Sequence, residues 1–180
     1  MKTARLATAG LMIALAFILS YIESLLPSFT GVPGVKAGLA NIVTMVALYS
    51  LGCQYAVIIS LVRVVLSGLI FTGMSAMLYS LAGAVLSLLV MLLLYRIRSS
   101  SAPARNSGSG HSSDSRIFSL PAVSVAGGVA HNIGQILVAW AVLGSAVLYY
   151  LPVLIISGLI AGIVTGIIAA LVCRSVPTLL

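Results

Sequence analysis

Apolar residues in this chain come in long runs, and polar residues fall between them in short clusters. Six such runs stand out, at about Ala4–Leu26, Val35–Leu51, Tyr55–Phe71, Ala76–Tyr95, Leu120–Leu143 and Leu148–Cys173. A helix needs about 20 mostly apolar residues to cross a bilayer, and the runs predict six such helices. The second run is short for a span. Pro27 ends the first run, "SFTGVPG" leads towards the second, and "GCQ" and "TGMS" mark tight turns on either side of the third. After the fourth run the composition changes abruptly to "RIRSSSAPARNSGSGHSSDSR". A Ser/Gly/Arg-rich stretch of this kind cannot bury enough apolar surface to order itself, and it reads as a flexible linker. The expected fold is therefore all-α: one polytopic membrane domain, with helices 1–4 in residues 1–98, a cytoplasmic linker at 99–117 and helices 5–6 in residues 118–180.

Composition strengthens this reading. The chain has 180 residues, 61% of them hydrophobic and 6% charged. A soluble domain carries about 25% charged residues, so too little polar sequence exists here to cover a water-facing surface. Nine Lys and Arg face two acids, for a net charge of +7. In a soluble protein that excess suggests nucleic acid; here positive loops held at the cytoplasmic face explain it, and no nucleic-acid partner is expected. With six spans, Lys2, Arg5, Arg96, Arg98, Arg105, Arg116 and Arg174 share one side, and only Lys36 falls at an opposite-side helix end. The positive-inside rule then puts both termini in the cytoplasm of a multi-pass cell-membrane protein. The first run is too long for the apolar core of a signal peptide and lacks an A-x-A site after it, so it is expected to stay as a helix.

Polar residues inside the apolar runs matter more. Glu23 lies near the outer end of the first helix and Lys36 near the outer end of the second, where a mutual pair lowers the cost of both. Asn41 and Thr44 share a face of the second helix, Ser60 and Ser67 share a face of the third with Arg63, and Ser80, Gly83 and Ser87 stripe the fourth. On the fifth, His131 and Gln135 share a face and Asn132 flanks it, among Gly127, Gly128 and Gly134. An arginine at mid-bilayer costs about 2.5–3.5 kcal/mol on insertion scales. Arg63 is the only one, and Glu23 lies nearer the outer surface. Two readings stand: Arg63 receives an anion from outside the chain through its planar fork, or it caps carbonyls of a neighbouring helix or reaches Glu23. For His131, Asn132 and Gln135, helix glue competes with the lining of a cavity.

Other chemistries are not encoded. No G-x-x-x-x-G-K-[ST], H-E-x-x-H or G-x-S-x-G is present. Two acids cannot build an Asp-rich cluster for Mg²⁺ and diphosphate chemistry. Cys53 and Cys173 lack metal-ligand spacing and read as small apolar residues. Neither catalysis, a metal nor a cofactor is expected. The first helix carries small residues at helical spacing, Ala4/Thr8 and Gly10/Ala14, a pattern that lets helices approach closely in lipid. It serves either packing within the chain or docking to a partner.

The stretch "IESLLPSFTGVPGVKAGLANIVTMVALYSLG", the later "MLYSLAGAVLS" and the H-N-x-G-Q of His131, Asn132, Gly134 and Gln135 together resemble a bacterial membrane family labelled both Gx transporter and heptaprenyl diphosphate synthase component I. That family is similar to the substrate-binding S-components of energy-coupling factor transporters. The resemblance covers nearly the whole chain outside the linker. It implies a six-helix module that captures a small polar or anionic molecule, such as a vitamin, a flavin or quinone precursor or a prenyl diphosphate. It also implies a transmembrane coupling subunit and two ATPases as partners. On that basis Arg63 and Lys36 are expected to supply charge, Asn41, His131, Asn132 and Gln135 to supply hydrogen bonds, and Glu23 to pair with Lys36 or gate the opening. The alternative is a non-catalytic membrane subunit of heptaprenyl diphosphate synthase; a third reading is a structural partner whose polar residues are only glue.

Overall fold

The computed structural model describes residues 2–25, 38–100 and 120–175. Six α-helices make it up: α1 (Lys2–Leu25), α2 (Asn41–Ser50), α3 (Cys53–Ser67), α4 (Gly73–Ser100), α5 (Leu120–Leu143) and α6 (Leu151–Ser175). A π-helical turn, Gly68–Thr72, continues α3, and a 3₁₀ turn, Ser145–Tyr150, precedes α6. No strand occurs among the described residues.

Four apolar helical stretches among the described residues are long enough to cross a membrane: Thr3–Leu25, Cys53–Ile97, Leu120–Leu143 and Ser145–Ser175. The second has 45 residues, but Gly73, at φ 82° and ψ 168°, breaks it. Only glycine takes that backbone conformation readily, and the chain doubles back there, with Gly68 packed on Met77 across the turn. The "TGMS" turn is thus found, although the reversal needs one glycine where a four-residue loop was expected. The other predicted turn is also present: Gly52, at φ 97°, separates α2 from α3.

The predicted second span is only partly visible. Its described part is a helix of 10 residues, Asn41–Ser50, and residues 26–37, including Lys36, lie outside the described structure. α4 runs on through Ser100, into the start of the predicted linker; residues 101–119 lie outside the described structure. α5 has the bounds the sequence implies. The sixth helix starts three residues later than expected, because Ser145–Tyr150 winds more tightly before Pro152 can occupy an early helical position.

α2 sits inside the bundle. Seven of its ten residues are buried, and it packs against α1, α3, α5 and α6. Around it α1 packs on α3, α3 on α4, α4 on α5 and α5 on α6. Outward faces are apolar: Leu6, Leu11, Leu69, Ile70, Leu89, Leu93, Val142 and Ile156 are among the exposed large side chains. A water-soluble monomer rarely leaves contiguous apolar surface of this extent open, whereas hydrocarbon solvates it. Alongside its apolar core, the interior holds Ser20, Glu23, Asn41, Arg63, His131, Asn132 and Gln135 at 7% exposure or less.

Glycine sets the closeness of α4, α5 and α6. A Cβ on Gly162 would stand 2.6 Å from the Val125 backbone, one on Gly166 2.6 Å from Pro121 Cα, and one on Gly128 2.5 Å from the Gly158 carbonyl oxygen. These positions place Gly158, Gly162 and Gly166 along one face of α6, four residues apart, against α5. A hydrogen bond at 2.7 Å between the Ser124 and Thr165 hydroxyls crosses the same seam. Backbones in such contact gain dispersion energy that lipid cannot match.

Candidate functional site

The site grows from Arg63. Apolar residues on the rest of α3 fix which face turns inward, and that face carries Ile59, Ser60, Arg63, Val64 and Ser67. Arg63 is 5% exposed. Its Nη1 donates to Ser20 Oγ of α1 at 3.4 Å and its Nη2 to Asn41 Oδ1 of α2 at 3.3 Å. Both bonds exceed the usual 2.7–3.2 Å range. Nε–H has no hydrogen-bond partner. A guanidinium offers five N–H donors and has no accepting capacity; here it meets two neutral oxygens at long range. Arg63 is therefore under-satisfied in hydrogen bonds at a three-helix junction.

Glu23 also contributes. Ser20 lies one turn before Glu23 on the same face of α1, and the Glu23 carboxylate acts on Arg63 electrostatically. Glu23 Oε1 also accepts the backbone N–H of Gly38. Gly38, at φ 86°, begins the tight turn into α2, and its carbonyl receives the N–H of Asn41 at 2.9 Å. One carboxylate thereby holds the entry to α2 and, through it, the position of Asn41. The expected pairing of Glu23 with Lys36 lies outside the described residues.

The helix-five trio divides. Asn132 Nδ2 donates to the Leu154 carbonyl of α6 at 2.7 Å, a short bond that ties α5 to α6. His131 and Gln135 turn the other way, onto α4. A Cβ on Gly83 would stand 2.8 Å from the His131 carbonyl oxygen, 2.9 Å from Gln135 Cγ and 3.0 Å from His131 Cε1. One on Gly134 would meet the Ala82 carbonyl oxygen at 2.7 Å. The glycines of the H-N-x-G-Q stretch and of α4 thus let the two backbones close on each other around the polar side chains. Gln135 is fully buried, and neither its Oε1 nor its Nε2 has a hydrogen-bond partner.

The proposed docking residues of α1 lie away from the bundle. Ala4, Gly10 and Ala14 are exposed and Thr8 is partly so, its hydroxyl bonded to the Ala4 carbonyl at 3.0 Å. Inside packing uses Ala9, Met12 and Ala16 instead. Ser20 is the functional contact that sequence patterning does not single out. A signal for it exists: a serine three residues before the only acid of the helix, on the same face. No group of three or more His, Cys, Asp or Glu side chains that could hold a metal ion occurs among the described residues.

Comparison with known proteins places the chain. No curated protein and no solved structure matches it. The model of the family described as heptaprenyl diphosphate synthase component I matches residues 12–172, which takes in α1 from Met12 onwards, α2 to α5 and nearly all of α6. With that span, and with the Arg63 junction and the H-N-x-G-Q seam inside it, the chain belongs to the heptaprenyl diphosphate synthase component I family.

Proposed function

We propose that this chain is a non-catalytic membrane subunit that binds a small anionic or polar molecule at Arg63, in the manner of the S-components of energy-coupling factor transporters. The carrying observation is the buried Arg63 guanidinium, held by two long bonds to neutral oxygens with its Nε–H unpartnered. An anion entering between α1, α2 and α3 would replace weak neutral contacts by charge-assisted ones, which are about twice as strong. Asn41 and Ser20 orient the fork, and Glu23 limits the cost of the buried charge while the site is unliganded. Six spans with both termini cytoplasmic complete this reading. The occupant is a vitamin, a flavin or quinone precursor or a prenyl diphosphate, and delivery runs through a coupling subunit driven by two ATPases.

A second reading has its own support. The family description names a synthase component, which favours a membrane subunit that serves heptaprenyl diphosphate synthase. Two acids in the whole chain, one of them committed to Gly38 and Arg63, argue that catalysis belongs to the partner in that case. Affinity purification of the tagged chain from its native membranes in mild detergent, followed by mass spectrometry of proteins and small molecules, separates the two. Co-purifying ATPases support transport. A soluble prenyl synthase without ATPases would sink it.

A further inference from the structure

The seam between α4 and α5 holds polar capacity that Arg63 does not use. Gln135 is fully buried, and its amide carries an acceptor and two donors with no partner. Ser80 of α4, one turn from Gly83, is 6% exposed and its hydroxyl also lacks a partner. Each unpaired buried group costs about 1–3 kcal/mol, and lipid offers nothing to recover that cost. Helix glue does not explain Gln135: glue requires a bond, as Asn132 makes to Leu154.

The register of the helices puts these groups level with Arg63. Gly68 packs on Met77 across the reversal at Gly73. Five residues back along α3 is Arg63, and five residues on along α4 is Ala82. Ala82 and Gly83 are the residues against which Gly134 and Gln135 close. Arg63, Ser80 and Gln135 therefore occupy one layer of the bundle. That layer lies between a half built from α1, α2 and α3 and a half in which α4, α5 and α6 are joined through glycine contacts.

We infer that Gln135 and Ser80 form a second subsite that reads hydroxyl or amide groups on the same guest whose anion Arg63 holds. This inference rests on the anion-binding reading above. It narrows the substrate class to an anion carrying hydrogen-bonding groups next to its charge. A guest with a purely hydrocarbon body at that layer would leave the Gln135 amide and the Ser80 hydroxyl as unpaired as before.

Two probes isolate the claim: glycerol 1-phosphate and propyl phosphate, which share their charge and carbon count and differ by two hydroxyls. Their binding is measured on the full chain in detergent, by calorimetry and by ligand-induced thermal stabilisation, for the wild type, Gln135→Leu, Ser80→Ala and Arg63→Gln. Wild type should prefer glycerol 1-phosphate at least tenfold. Gln135→Leu should abolish that preference while leaving propyl phosphate affinity within about twofold. Its unliganded melting temperature should equal or exceed that of the wild type, since an unpaired amide has been removed. Ser80→Ala should reduce the preference several-fold without loss of folding, which keeps the claim testable if the leucine variant does not fold. Arg63→Gln should lose both probes. Equal binding of the two probes to wild type, or a preference unchanged in Gln135→Leu and Ser80→Ala, would overturn the subsite while leaving anion binding intact. Binding of neither probe to wild type would overturn the anion reading and this inference with it.

Discussion

A single side chain, Arg63, organises the inner layer of this protein, and its surroundings explain why polar residues are tolerated at that depth. The guanidinium draws Ser20, Asn41 and the charge of Glu23 from two other helices into one junction. Much of this is legible in the chain. An arginine inside an apolar run needs a neighbour, and Asn41 is among the candidates. Ser20 is not, because a serine is common in apolar helices and its face becomes known only once α1 is docked. The trio His131, Asn132 and Gln135 shows the limit of sequence patterning from the other side. The spacing puts His131 and Gln135 on one face with Asn132 beside it, as found, but it does not say which helix each face meets. Asn132 serves α6, and Gln135 serves the α4 seam. Asn132→Ala should accordingly lower the stability of the detergent-solubilised chain by about 0.6–2 kcal/mol, read from chemical unfolding, with anion affinity unchanged. An affinity loss without a stability loss would show that Asn132 contacts the guest.

At the scale of elements, glycine determines which helices touch. The α5–α6 seam depends on Gly128, Gly158, Gly162 and Gly166, and the four-residue spacing of the last three is plain in the amino-acid sequence. Their partner is not, since a small-residue face does not say which helix it meets. The face on α1 makes the point in reverse. Gly10 has nothing within 4 Å of where a side chain would start, so that face is free of the bundle and suits a partner helix. A paired comparison tests both. Gly162→Leu forces its side chain against the Val125 backbone and should cost about 1–3 kcal/mol or more, seen as a lowered unfolding midpoint. Gly10→Leu should leave that midpoint unchanged but reduce recovery of co-purifying membrane proteins. A stable Gly162→Leu protein would contradict the packing described, and full partner recovery with Gly10→Leu would remove the α1 face as a docking surface. The π-helical turn at Gly68–Thr72 has no sequence signal. Within it Phe71 meets Phe17 and Tyr21 of α1, with ring centroids 5.3 and 5.4 Å apart, a tertiary contact that no local pattern encodes.

For the whole molecule, the extent of apolar surface on the exterior marks a protein solvated by lipid. Periodicity cannot supply this, because the runs are apolar on nearly every side. Run length and the scarcity of charge supply it instead. The proposed orientation has the Arg-rich segment and both termini on the cytoplasmic side. Reporter fusions at the carboxyl terminus and within residues 101–119 should therefore be fluorescent with a cytoplasmic reporter and inactive with a periplasmic phosphatase. Phosphatase activity at either point would reverse the orientation and with it the side from which Arg63 is reached. The central claim remains that this membrane subunit holds a small anion on Arg63. The most direct test is calorimetric titration of inorganic diphosphate into the purified full chain, wild type and Arg63→Gln, with the melting temperature of each recorded alongside. The account predicts saturable binding to wild type and at least tenfold weaker binding to Arg63→Gln, with the variant still unfolding in a cooperative transition. Undiminished binding to Arg63→Gln, or a variant that unfolds while wild type binds no anion, would contradict it and leave Arg63 as a structural residue.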